Sequence, residues 1–142
     1  MINYTLNFLL AVLIGSMTFF MAVVSPSIFA TLSTNASSKL LRTIFPRMFL
    51  FGFIIAILSL VLCYISSNIL NSILLIIVAM SFIINRNYLT PKINDLRDKE
   101  LEGDKKASSS FKYMHLLSVL LFVLNFIILI GIVINNYLNY NL

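Results

Sequence analysis

The chain has 142 residues, of which 60% are hydrophobic and 11% are charged, and its formal net charge is +5. A soluble domain of this size is excluded, because small domains bury only about two thirds of the surface that their unfolded chains expose. The composition therefore predicts one small domain whose apolar surface is covered by lipid.

Charged residues are missing from three long stretches, residues 1–38, 48–85 and 113–142. A membrane-spanning helix needs about 20 apolar residues, so the first and last stretches predict one helix each. The middle stretch of 38 residues would be about 57 Å long as a single helix, nearly twice the thickness of the hydrocarbon core. It is predicted to fold back at Ser66, Ser67 and Asn68, whose side chains favour turns.

Taken in chain order, these signals predict an all-α integral membrane four-helix bundle that forms one domain over residues 1–142. The helices are expected near residues 4–25, 46–65, 69–89 and 112–136, with a connection at about 90–111. Within this connection, a short amphipathic helix is predicted at about residues 91–102. Pro91 suits its first turn, Asp95 and Lys99 are spaced i and i+4, and Gly103 provides a stop.

All ten basic residues lie in two segments that a four-helix chain places on the same face of the membrane: Lys39, Arg42, Arg47, Arg86, Lys92, Arg97, Lys99, Lys105, Lys106 and Lys112. The positive-inside rule assigns that face to the cytoplasm. We therefore expect a multi-pass protein of the bacterial inner membrane, with both termini outside and both basic connections inside. The five acids share the second segment, so the expected partner is the lipid bilayer and not a nucleic acid.

Small residues predict where the helices approach each other, because helices in lipid associate through close packing and hydrogen bonds. Ala11 with Gly15, and Gly52 with Ala56, have the small-xxx-small spacing. These pairs predict close contact between the first two helices. Asn125 lies near the middle of the fourth helix and is expected to face another helix, because an amide in lipid is costly.

Unusual residues of all four predicted helices gather at the cytoplasmic mouth of the bundle, which is therefore the candidate site. The outer face offers no ionisable side chain except tyrosine. The candidate ligand-binding residues are Pro26, Asn87, Pro91, Lys112, His115 and Ser118.

His115 is the only histidine, and a titratable group at membrane depth is a functional candidate. It could contribute to a metal site, or it could be a neutral imidazole hydrogen-bonded to Asn85, Asn87 or a backbone carbonyl. Several soft sulfur atoms would suit copper(I), although methionine is also a common filler of irregular cores. They belong to Met17, Met21, Met48, Cys63, Met80 and Met114.

Signatures of catalysis are missing from the sequence, so no catalytic residue is predicted and an enzyme is not expected. It contains no glycine-rich phosphate loop, no paired intramembrane carboxylates and no serine, histidine and aspartate in a plausible arrangement. A haem held by two histidines cannot be built within one chain.

The order of these residues resembles the transmembrane protein 205-like family, whose bacterial members are grouped as domain of unknown function 4149. The residues that carry the resemblance are Gly15, Phe19, Phe20, Pro26, Phe29, Phe45, Pro46, Arg47, Phe49, Asn87, Pro91, Leu96, Phe111, Lys112, His115, Ser118 and Asn125. The resemblance implies a four-helix membrane protein without an established reaction. The animal relative is associated with resistance to platinum drugs, which hints at metal or drug handling.

Lys112 and His115 are also similar to the Lys-x-x-His at a helix start in copper-resistance protein D and in the small membrane protoporphyrinogen oxidase. Three hypotheses follow. The first is a protein that binds a small ligand or metal ion at the cytoplasmic mouth, and the second is a structural or assembly subunit of a membrane complex or homo-oligomer. The third is a haem-dependent membrane oxidoreductase. No cofactor is required by the sequence.

Overall fold

A computed structural model describes the backbone of residues 1–140 and the side chains of residues 1–138. Four long helices, without a strand, make up this described part: α1 (Ile2–Thr31), α2 (Thr34–Ile65), α3 (Ile69–Leu101) and α4 (Lys105–Tyr140). Each is long and apolar enough to cross a membrane. The prediction of an all-helical, multi-pass membrane protein is therefore confirmed.

The helices extend beyond the uncharged stretches of the sequence. A charged residue limits the part of a helix that lipid can cover, but the helix itself can continue past it. The second helix begins at Thr34, where the Ser33 side chain caps it, and Pro46 lies inside it. At about 1.5 Å per residue, the 32 residues of α2 span roughly 48 Å, more than the hydrocarbon core of about 30 Å. The ends that carry residues 39–47 and 86–112 form what we call the charged end of the bundle.

The separate short helix predicted at residues 91–102 is not supported. Residues 90–101 are helical, but they continue α3 through one wide π turn at Asn85–Leu89. Since a helical proline cannot donate a backbone hydrogen bond and its ring clashes with the carbonyl four residues earlier, Pro91 would normally start or break a helix. The π turn lies at that carbonyl, so α3 passes Pro91 without ending. It ends before Gly103, which has φ +97°.

The helices are arranged in a ring in which each packs against the next and α4 returns to α1. The core contains Leu10, Leu13, Met17, Ala56, Leu75, Val78, Phe82, Leu129 and Ile132. Gly52 is buried against the ring of Phe82, so the second small-residue pair serves the contact of α2 with α3. Gly15 is exposed, with no atom within 4 Å of the position of its absent Cβ. The helices α1 and α2 do approach each other, as predicted, but Ala11 and Gly15 are both exposed and do not form this contact.

Side-chain amides close the bundle at the end opposite the charged end, which we call the amide end. Asn71, which is fully buried, donates through Nδ2 to Asn136 Oδ1 at 2.8 Å, and Asn136 donates in turn to Asn7 Oδ1 at 2.9 Å. Asn135 donates to Asn71 Oδ1 at 3.1 Å. These bonds join α1, α3 and α4, so this end of the bundle is held shut.

The charged end is open between α1 and α4. Among the described residues, no Cα atom of α1 from Phe20 to Thr31 lies within 8 Å of a Cα atom of α4, whereas α1 before Phe20 does approach α4. The change occurs at a π turn, Phe20–Val24, which is followed by Pro26. The bundle is thus closed at its amide end and splayed at its charged end.

Candidate functional site

A cavity of about 580 Å³ lies at the charged end and is lined by residues of all four helices. Small-molecule sites in proteins typically have volumes of about 300–1,000 Å³. The cavity is also bordered by the stretch where α1 and α4 separate, since Met21 and Phe29 line it from α1 while Val119 and Val123 line it from α4. It is therefore large enough for a ligand and adjoins a gap in the side of the bundle.

Aromatic rings form the part of the cavity that lies toward the core. The Phe45 ring packs 5.5 Å from that of Phe20 and 5.9 Å from that of Phe49, between centroids. The Phe49 ring lies 6.4 Å from both Phe82 and Phe122. Aromatic pairs at such separations are mutually stabilising. The rings of Phe20, Phe45, Phe49 and Phe122 line the cavity and give it a fixed apolar floor.

A buried polar group borders this floor. Asn85 is fully buried; its Oδ1 accepts a hydrogen bond from Ser118 Oγ, and its Nδ2 donates to the Ser81 carbonyl at 3.2 Å. Thr90 Oγ1 donates to the Asn85 carbonyl at 2.8 Å. Because Ser118 and Thr90 both line the cavity, two hydroxyl groups are held in fixed positions at its wall.

Two arginines line the outer part of the cavity, which is the part farthest from the core, and carboxylates fix the positions of both. Arg42 of α2 makes a two-pronged ion pair with Asp98 of α3, in which Nη1 lies 3.0 Å from Oδ2. Arg97 pairs with Glu100, which also accepts from Ser108 Oγ of α4 at 2.7 Å. These pairs tie three helices together where their ends project from the apolar part of the bundle.

His115 is connected to Arg97 through the ring of Phe111. Its ring lies 5.9 Å from the Phe111 ring, with only 9° between the two planes, and the Arg97 guanidinium carbon lies 5.4 Å from the centroid of the same Phe111 ring. Guanidinium groups over aromatic faces are attracted by the ring electrons. Phe111 thus fixes the positions of a cation and an imidazole that both line the cavity.

The structure brings together only some of the predicted site residues. His115 and Ser118 line the cavity, whereas Pro26, Asn87, Pro91 and Lys112 do not. Those four side chains are exposed, and Asn87 Oδ1 accepts a hydrogen bond from its neighbour Arg86 at 3.3 Å. The two prolines follow the two π turns, so they affect the path of the helices that form the cavity.

The sulfur atoms considered for metal binding are dispersed. Met21 and Met48 line the cavity with His115, whereas Met17 is in the core and Met80 is exposed. Cys63 is buried near the turn at the amide end, where its thiol donates to the Asn68 carbonyl at 3.7 Å. Within residues 1–138, no three His, Cys, Asp or Glu side chains gather as a metal site.

Sequence reasoning missed Arg42, Arg97 and Thr90 because it treated the charged segments as indicators of topology. A signal was present in α4, where Phe111, His115, Ser118 and Phe122 recur at helical spacing and line one cavity wall. In α2, the cavity-lining residues at positions 34, 38, 41, 45 and 48 also recur at helical spacing. The sequence signal that could have predicted the cavity wall is an amphipathic face at the end of a spanning helix.

Comparison with known proteins gives one family. The family described as a domain of unknown function (DUF4149) matches residues 8–102, more than half of the chain. The matched stretch includes most of α1, all of α2 and all of α3, and it ends before α4, which carries His115 and Ser118. No curated protein and no solved structure matches the chain.

Proposed function

The chain belongs to the family described as a domain of unknown function (DUF4149), and we propose that it is a membrane protein that binds a small ligand in the cavity at its charged end. The ligand combines an apolar body with a polar group. The observation that carries this proposal is one cavity of about 580 Å³ with an aromatic floor, fixed hydroxyl groups and a cationic outer part.

The position of the polar groups supports binding over simple packing. Ligand sites are mostly apolar, with a few polar groups that fix orientation. Here Ser118 and Thr90 are positioned by the buried Asn85, and π turns of the kind seen at Asn85–Leu89 and Phe20–Val24 are frequent at functional sites. The binding groups are therefore ordered before a ligand arrives.

We further propose that the charged end faces the cytoplasm of a bacterial inner membrane, because all ten basic residues lie there. Single cysteines introduced at Asn68 and Ser109, in a Cys63→Ser background, test this orientation. A membrane-impermeant maleimide added to intact cells is expected to label only the cysteine at position 68. Labelling of position 109 alone would reverse the orientation.

A soft metal ion is a second candidate ligand, because Met21, Met48 and His115 line the same cavity and thioether and imidazole groups bind soft metals. It would also agree with the resemblance of the sequence to the transmembrane protein 205-like family. Copper(I) uptake by the purified protein is expected to fall in His115→Ala and to be unchanged in Leu116→Ala. Equal uptake by both variants would remove this candidate.

Two adjacent substitutions in α4 test the main proposal. Val119 lines the cavity and Leu120 does not, although both side chains are exposed. Protein purified in mild detergent is expected to retain a small molecule that native mass spectrometry detects. Val119→Trp adds a bulky ring to the cavity wall and is expected to reduce retention strongly, while Leu120→Trp preserves it. The proposal would be contradicted if the unmodified protein retained no small molecule, or if both variants retained it equally. A co-purifying protein would favour the assembly hypothesis.

A further inference from the structure

The charge of the cavity wall is one-sided. The guanidinium groups of Arg42 and Arg97 line the cavity together with the His115 imidazole, and no aspartate or glutamate does so in the described part of the chain. The carboxylates of Asp98 and Glu100 pair with the arginines from outside this lining. A ligand in the cavity therefore meets guanidinium groups without meeting a carboxylate.

Both arginines keep donors for a ligand. A guanidinium carries five N–H donors on three nitrogens. Arg97 uses only Nη1 within the described chain, for Glu100, and Arg42 uses Nη1 and Nη2 for Asp98. Their side chains are 28% and 33% exposed, so the charges are partly shielded from water. Attraction for an anion is stronger there than in bulk solvent.

The polar and apolar parts of the cavity follow one another along the bundle. On α2 the lining runs from Arg42 through Phe45 to Phe49, a distance of about 10 Å at 1.5 Å per residue. On α4 it runs from His115 through Ser118 to Phe122. Positive charge therefore lies toward the head-group region, and the aromatic floor lies toward the middle of the hydrocarbon core.

The gap between α1 and α4 gives this arrangement an entrance from the bilayer. At the level of the cavity, these helices have no Cα atoms within 8 Å of each other in the described chain. On these two helices the cavity is lined by Ser25, His115 and Ser118 and also by the apolar side chains of Met21, Phe29, Val119 and Val123. An acyl chain can pass the apolar side chains without leaving an apolar environment, whereas a hydrophilic solute would have to cross an apolar passage.

We propose that the ligand is a single-chain anionic amphiphile taken from the bilayer through the gap between α1 and α4. Its head, a carboxylate or a phosphate monoester, binds Arg42 and Arg97, and its chain lies on Phe45, Phe49 and Phe122. This inference rests on the proposed function and adds the charge of the ligand and its route of entry.

Photoactivatable amphiphiles of equal chain length test the inference in nanodiscs of zwitterionic lipid. Their heads are a carboxylate, a phosphate monoester, a hydroxyl and a trimethylammonium group, and mass spectrometry locates the label. The carboxylate or the phosphate is expected to label the segment containing Phe45 and Phe49 about tenfold more than the hydroxyl does, because one charge-assisted contact contributes at least that factor. The better of the two anions identifies a fatty acid or a lipid phosphate.

Variants of Arg97 separate charge from folding. Arg97→Gln is expected to reduce labelling by the anions about tenfold and to leave labelling by the hydroxyl probe unchanged, and Arg97→Lys is expected to restore most of the loss. Lys92 lies outside the cavity, so Lys92→Gln is the matched control and should change nothing. The unchanged hydroxyl probe shows that the cavity of Arg97→Gln is still folded.

The remaining outcomes are distinguishable. Equal cavity labelling by all four probes, or a preference for trimethylammonium, would overturn the anionic inference and leave the proposed function intact. A different result would overturn both the anionic inference and the proposed function. In that result, every probe labels the cavity no more strongly than it labels the exposed side chains Ile73, Ile76 and Ile77 of α3.

Discussion

At Gly52, the backbone of α2 lies so close to α3 that a Cβ atom would meet three atoms of the Phe82 ring at 2.7 to 2.9 Å. Helices in a bilayer gain little from apolar burial alone, because lipid tails are equally apolar, so close approach at small residues holds them together. Phe82 also packs on Phe49, which lines the cavity. The contact at Gly52 therefore supports the aromatic floor.

Gly52→Ala is expected to lower the free energy of unfolding by about 1–3 kcal/mol, because the added methyl group overpacks the contact with Phe82. Gly15→Ala is the matched control, since no atom lies within 4 Å of the added methyl group there and alanine favours a helix over glycine. Denaturation by sodium dodecyl sulfate, followed by circular dichroism, measures both. Equal destabilisation of the two variants would refute this account of the interface.

The sequence showed the spacing of both small-residue pairs but could not show which neighbour each pair faces, because helical spacing alone leaves the rotation of a helix undetermined. Asn125 illustrates the same limit. It was expected to face another helix, and it is buried, but its amide atoms have no hydrogen-bond partner among the described residues. The burial of this amide was predictable from the sequence, whereas its lack of a hydrogen-bond partner among the described residues was not.

At the scale of the element, α1 and α3 each pass a proline by means of a wide turn. Pro26 follows the π turn Phe20–Val24, and Pro91 follows Asn85–Leu89. From the sequence, Pro26 lay just beyond the first predicted helix and Pro91 was placed in the first turn of a separate short helix, because a proline lacks the N–H and its ring clashes inside a helix. The helices continue because each π turn lies at the carbonyl that the proline ring would otherwise meet. This accommodation depends on backbone geometry that residue types do not specify.

Pro26→Ala is expected to straighten α1, because the alanine N–H can bond to the carbonyl of Ala22 and the reason for the wide turn is removed. Spin labels at Ala30 and Tyr113, in a Cys63→Ser background, are then expected to approach each other by several ångströms in pulsed electron resonance. Labels at Ile2 and Leu138 report the amide end and should not move. An unchanged distance across the charged end would show that Pro26 does not hold α1 away from α4.

At the scale of the whole molecule, the two ends of the bundle differ in chemistry and in closure. Neutral amides of Asn7, Asn71 and Asn136 close one end, and the other end separates around a cavity with arginines at its outer part. The segregation of charge and the four helices were predictable from composition and periodicity. The gap was not, because it follows from the path of α1 after Phe20 and from the tertiary positions of rings and ion pairs.

The most direct test closes the gap between α1 and α4 reversibly. Phe29→Cys and Val119→Cys in a Cys63→Ser background are linked by a bifunctional maleimide that contains a disulfide, since the backbones are too far apart for a direct disulfide. The linked protein is expected to lose cavity labelling by a photoactivatable fatty acid, and reduction of the linker is expected to restore it. Labelling of the segment containing Phe45 and Phe49 at the same level in the linked and reduced proteins would contradict a ligand cavity that opens to the bilayer.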